Sequence, residues 1–148
     1  MRILFVHQNF PGQYLHIVQR LARQGSHQLV ALGINELDTD RPLPESLKYF
    51  RYPLAQGNTK GIHRWVMEME SKTIRAEGCA RAAHELKTKG FTPDLICAHP
   101  GWGEALFLKT VWPDSPLLCY QEFFYNYQGF DSNFDPEFDR ESSWQDEA

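Results

Sequence analysis

Three short stretches carry side chains able to act on a ligand. The first is His99 at the head of His-Pro-Gly-Trp-Gly-Glu. A neutral imidazole can donate to a hydroxyl or accept from one. Gly101 and Gly103 would let backbone come close to a ligand, and Trp102 could stack on a sugar face. The same residues could instead cap a helix and pack a core. The second is Glu122 in Tyr-Gln-Glu-Phe-Phe-Tyr. Its carboxylate could take a hydrogen bond from a hydroxyl, act as a base, or be a plain surface acid. Aromatic density at Phe123, Phe124, Tyr125, Tyr127 and Phe130 favours an interface or an acceptor groove. The third is His-Gln-Asn-Phe-Pro-Gly-Gln, His7 to Gln13. Gly12, Gln13 and Tyr14 would place free N–H groups at a helix start, which attracts phosphate or carboxylate. Gly12 could let a diphosphate approach the backbone. A tight turn that binds nothing fits equally, since neither a P-loop nor G-x-G-x-x-G is present.

Other candidates are weaker. His7, just past an apolar run, reads as structural. His16 could face the crevice from the first turns of its helix. His84 reads as exposed, and Cys79 as helix packing. His63, Trp65 and Met69 read as core or interface.

The elements that must position these residues follow from periodicity. Ile3 to Val6 is a continuous apolar run, as in strands buried on both faces. Tyr14, Ile17, Val18, Leu21 and Ala22 recur at helical spacing. Pro11 suits the start of that helix and Gly25 its stop. Gln28 to Leu32 is the next strand, and Lys48 to Leu54 a short one ended by Pro53. A long helix runs from Ile62 to about Lys89, with Ile62, Trp65, Val66, Met69, Thr73, Ala76, Ala80 and Ala83 on one face. Pro93 to Ala98 is a strand, Gly103 to Trp112 a short helix, and Pro116 to Tyr120 the last strand. Five strands alternating with helices predict an α/β fold: a Rossmann-like parallel sheet with helices on both faces. Ligands then bind beyond the carboxyl ends of strands. That rule selects the loops after Val6, Ala98 and Tyr120, which are the three stretches above. The expected domain spans residues 1–125, and residues 126–148 read as an acidic, aromatic, loosely ordered tail where a domain is cut.

Composition narrows the class. The 148 residues are 42% hydrophobic and 23% charged, ordinary for one globular domain. The net charge of −4 is uneven. Residues 131–148 hold seven acids and one base, so residues 1–130 carry a net +2. No dense basic stripe points to nucleic acid. No apolar run reaches membrane-spanning length, and membrane-surface association is left open. Three widely spaced cysteines without C-x-x-C predict reduced, buried thiols and a cytoplasmic setting, and argue against structural zinc.

Taken together, residues 1–32, the segment Pro93 to His99 and the run from His99 to Tyr125 resemble the N-terminal domain of family 4 glycosyltransferases of GT-B fold. Ser26 is one residue more than the family's Gly-His spacing. The resemblance implies the acceptor-binding half of a retaining enzyme that uses a nucleotide-sugar donor and no metal. It implies a carbohydrate or lipid-linked acceptor and a separate C-terminal donor domain, with the isolated fragment inactive. By position, Gly12 matches the glycine near the donor diphosphate and His99 the histidine ending the fourth strand. Glu122 stands where many relatives carry a histidine. His99 and Glu122 are thus the expected catalytic pair, with Gly12, Gln13, His16, Gly101 and Trp102 lining the substrate. The alternative is a non-catalytic α/β module that binds a phosphorylated small molecule.

Overall fold

A computed structural model describes residues 1–37 and 43–122. The expected tail at 126–148 and the aromatic run from Phe123 lie outside the described residues. Five strands form one parallel sheet: β1 (Arg2–Val6), β2 (Gln28–Gly33), β3 (Leu47–Arg51), β4 (Leu95–Ala98) and β5 (Leu117–Cys119). Their order is β3-β2-β1-β4-β5. Helices α1 (Leu15–Gln24), α2 (Arg64–Thr88) and α3 (Leu108–Val111) make the connections. The sheet is the Rossmann-like α/β arrangement that the alternating apolar runs predict.

Alternation along β1 and β2 splits the core in two. Leu4, Val6, Val30 and Leu32 face α2 and α3, with Cys79, Ala83, Leu108 and Trp112 packed on them. Ile3, Phe5, Leu29 and Ala31 face α1, with Tyr14 and Val18. Gly25 ends α1 in the left-handed region at φ 66°, as a helix-stopping glycine should. Ile17, expected on the buried face of α1, is exposed. It lines an apolar hollow of about 410 Å³ beside Leu21 and Leu118, because α1 lies over the β1–β2 side of that face.

The long helix departs from expectation in which half is buried. Ala76 and Ala83 are sealed in the core, but Trp65, Val66 and Met69 are exposed. Length explains this. Twenty-five residues span roughly 37 Å, whereas a five-residue strand spans about 17 Å. The first turns of α2 therefore overhang the carboxyl edge of the sheet. The expected helix at 103–112 shrinks to Leu108–Val111, with turns ahead of it. Cys79 and Cys97 are buried, but Cys119 is only half-buried. On the three-residue β5 it lies at the margin of the sheet.

Candidate functional site

The strand order reverses direction between β1 and β4: β2 follows β1 to one side, and β4 lies on the other. A crevice opens at such a switch point, beyond the carboxyl ends. The ladder carries on past the strands there. The His99 N–H donates to the Val6 carbonyl (3.2 Å) and the Tyr120 N–H to the Ala98 carbonyl (3.0 Å). These bonds hold the ends of β1, β4 and β5 level, so that the loops after them meet.

His7 and His99 face each other edge to face, with ring centroids 5.5 Å apart. Both are buried. Nδ1 of His7 accepts from the Asn9 N–H (3.1 Å), so its ring proton sits on Nε2. Burial first, then the neighbouring His99, holds the pKa of His7 below the ordinary histidine value. Nδ1 of His99 accepts from the Gly101 N–H (3.2 Å). Nε2 therefore carries the proton and donates to Oε2 of Glu122 at 2.9 Å. The second carboxylate oxygen accepts from the Gln13 side chain. The His99 hydrogen bond first, then that of Gln13, holds the Glu122 carboxyl below the ordinary glutamate value. Gln13, His99 and Glu122, from three different loops, are thus one network.

Each of three glycines also makes room for the chain itself. Gly12 lies at φ 48°, and a β-carbon there would come within 2.7 Å of the His7 ring. A β-carbon at Gly101 would come within 2.9 Å of the His99 ring. Gly103, at φ 104°, lies so close to α2 that a β-carbon would fall 2.3 Å from the Lys72 carbonyl oxygen. Each glycine admits the protein's own ring or helix. The turn at Gly12 is a short 3-10 turn, Gly12–Tyr14. Its Tyr14 N–H is bonded to the Pro11 carbonyl (2.9 Å), and no backbone partner among the described residues takes the N–H groups of Gly12 and Gln13. Gly12 and Gln13 line a polar cleft of about 560 Å³ with His7, Asn9 and Asn35.

Trp102 is 41% exposed and stacks on the His99 ring, with centroids 6.2 Å apart. Trp102, Gly101, His99, Glu122 and Tyr120 line a second cleft of about 330 Å³, which Glu68 and Lys72 of α2 close on one side. His16 is exposed on α1 and lines neither cleft. Among the described residues no group of three or more His, Cys, Asp or Glu could hold a metal ion.

Residues 25–147 match the family described as the glycosyl transferase family 4 group. The chain belongs to this family. Glycosyl transfer between a sugar donor and an acceptor is the role that membership assigns. The matched stretch contains His99, Trp102 and Glu122; Gly12, Gln13 and His16 precede it. Comparison with curated proteins gives no match.

One residue without an expected role belongs to this family member's site region. Glu104 is only 1% exposed. Its Oε1 accepts from the Tyr52 hydroxyl at 3.0 Å, and its Oε2 is buried with no partner among the described residues. Burial raises its pKa above the ordinary glutamate value, against the opposing pull of the Tyr52 bond and of Arg75. Glu104 ties the far end of the His99 loop to the chain leaving β3. The available signal was an acid set directly against Ala-Leu-Phe, where a surface carboxylate is out of place. The α2 residues Glu68 and Lys72 gave no such signal, because only the overhang of the helix brings them to the cleft.

Proposed function

We propose that this chain is the acceptor-side half of a retaining, hexosyltransferase-type enzyme that uses a nucleotide-sugar and no metal cofactor. The observation that carries the reading is the His99–Glu122–Gln13 network at the switch point. Glu122 lines the cleft and is held ionised, and a carboxylate has more acceptor positions than the two taken by His99 and Gln13, so it can accept from a sugar hydroxyl. Both ring nitrogens of His99 are engaged within the chain, so His99 is a positioning residue that acts through Glu122. The amides of Gly12 and Gln13 suit the donor diphosphate, whose remaining charge falls to a separate donor domain. Trp102 forms a wall of the sugar site. Residues 1–148 alone are then inactive, since transfer needs both halves closed over the substrates. Free thiols at Cys79, Cys97 and Cys119 suit a reducing, cytoplasmic setting and a place in carbohydrate biosynthesis. Among the described residues no helix is long and apolar enough to cross a membrane.

The test is kinetic, in the full-length enzyme. His99→Ala and Glu122→Ala should each lower kcat/KM by an amount worth about 2–4 kcal/mol, with the fold intact by circular dichroism. The double variant should cost little more than Glu122→Ala alone, because His99 acts through that carboxylate. Wild-type kinetics in both single variants would remove the site. Sugar transfer by residues 1–148 alone would remove the two-half reading. Tight inorganic phosphate binding by this chain, with no activity in the full-length protein, would favour the phosphate-binding module.

A further inference from the structure

His7 is a buried histidine beside the network, and the reading above gives it no task. Its backbone is tied on both sides. The His7 N–H donates to the Leu32 carbonyl (3.2 Å), and the His7 carbonyl accepts from the Phe10 N–H (3.1 Å). The ring is tied as well. Nδ1 accepts from the Asn9 N–H (3.1 Å). The rings of Tyr14 and His99 meet it edge to face, with centroids 6.3 and 5.5 Å away. The Gly12 backbone passes so close that a β-carbon there would strike the ring. An imidazole held in this way keeps one group to spend, the Nε2–H.

That group is spent on Gln13, whose side chain is hydrogen-bonded to His7. Nδ1 is already an acceptor, so the ring donates from Nε2, and only the amide oxygen of Gln13 can accept. The amide nitrogen of Gln13 is thereby turned away from His7, and it donates to Oε1 of Glu122. His99 donates to Oε2 of the same carboxylate at 2.9 Å. Donors run in one sense, from His7 through Gln13 to Glu122, and meet the bond from His99 there.

A side-chain amide has two orientations of nearly equal shape. Turned over, Gln13 would set its oxygen against the Glu122 carboxylate and its NH₂ against the His7 N–H, two repulsions at once. A phenylalanine could fill the space between Tyr14 and His99, but it could not impose that choice. Burial also lowers the His7 pKa, which favours the neutral ring that accepts at one nitrogen and donates at the other. Gln13 itself is exposed, so a rigid, buried anchor at its far end is what keeps its amide aimed.

We infer that His7 is a positioning residue: it fixes the side-chain amide of Gln13 and, through that amide, the carboxylate of Glu122. The inference rests on the reading of Glu122 as the group that accepts from a sugar hydroxyl.

The test begins with the unaltered full-length protein. Nitrogen NMR of isotope-labelled histidine should show the His7 ring neutral at neutral pH, with its proton on Nε2. Gln13→Met keeps the length of the side chain and removes the amide, and it should move the His7 Nε2 resonance. A proton on Nδ1 overturns the inference, and so does an Nε2 resonance that Gln13→Met leaves in place. Kinetics supply the second arm. His7→Phe keeps a ring and removes the donor, and should lower kcat/KM roughly two- to tenfold. His7→Gln supplies a donor again and should recover most of that loss. In a Gln13→Met background His7→Phe should cost nothing further. An equal cost in both backgrounds, or no recovery in His7→Gln, makes His7 a packing residue and overturns its role. The two readings fail separately. Wild-type kinetics in Glu122→Ala, with a His7 resonance that responds to Gln13→Met, removes the sugar contact and keeps the link from His7 to Gln13. A large loss in Glu122→Ala, with a His7 resonance that does not respond, keeps the sugar contact and removes His7 from it.

Discussion

Replacing Glu104 separates two properties of one buried carboxyl: the hydrogen bond it accepts and the charge it can carry. Tyr52 is 1% exposed, and its hydroxyl donates to Glu104. Glu104→Ala leaves that hydroxyl buried without an acceptor, a cost of about 1–3 kcal/mol. The void left by a side chain that is itself 1% exposed adds about 1–2 kcal/mol. The variant should therefore lose roughly 2–5 kcal/mol in urea unfolding. Glu104→Gln keeps an acceptor for Tyr52 and should stay within about 1 kcal/mol of wild type at neutral pH. Its signature lies in the pH profile. Burial holds the folded pKa of Glu104 above its ordinary 4.5, so between those two values the native state binds more protons than the unfolded chain. Stability from this group is present below the ordinary value and is lost as pH rises through the folded one. Glu104→Gln should remove that slope and nothing else. Two results would refute the reasoning: Glu104→Ala within 0.5 kcal/mol of wild type (about the noise of such a measurement), or Glu104→Gln with an unchanged pH profile.

Two glycine substitutions test the packing of the loops. Gly12→Ala forces a side chain at φ 48° onto the His7 ring and should cost about 1–3 kcal/mol. Part of that loss should vanish in a His7→Ala background, and an equal cost in both backgrounds would place the strain elsewhere. Gly103→Ala meets helix backbone, which cannot rotate away, and should cost about 3 kcal/mol or more, with a shift in Trp102 fluorescence. Gly25→Ala is the comparison: it has a similar positive φ but open space around it, so about 1 kcal/mol is expected by chemical denaturation.

The sheet was legible because a strand buried on both faces must be apolar throughout, and Ile3 to Val6 and Leu29 to Leu32 read that way. The rule that ligands gather at carboxyl ends then selected the loops that meet in the structure. The burial of α2 was not legible. Periodicity reports that Trp65, Met69, Ala76 and Ala83 share a pattern, but not that the sheet ends beneath the middle of the helix. The glycines were legible as close approaches, yet their partners were not. A sequence cannot say whether the approaching atom belongs to a ligand, to the His7 ring or to the Lys72 carbonyl. Glu104 was hidden because its partner, Tyr52, is far away in sequence and follows a different strand.

His99 shows how the fold alters what a residue type offers. Free imidazole offers a donor and an acceptor, and both look available in His-Pro-Gly-Trp. In the folded chain the acceptor nitrogen is taken by the Gly101 N–H two residues on, a contact made possible by a glycine that lets the loop fold back over the ring. The donor nitrogen is taken by Glu122, brought there by β5. What reaches the cleft is a carboxylate oriented by an imidazole and by Gln13, with Trp102 stacked on the imidazole's face. The chemistry on offer is therefore that of an ionised acceptor group beside an aromatic wall. It arises only where the ends of β1, β4 and β5 come level, which makes the register of three parallel strands as much a part of the site as the side chains.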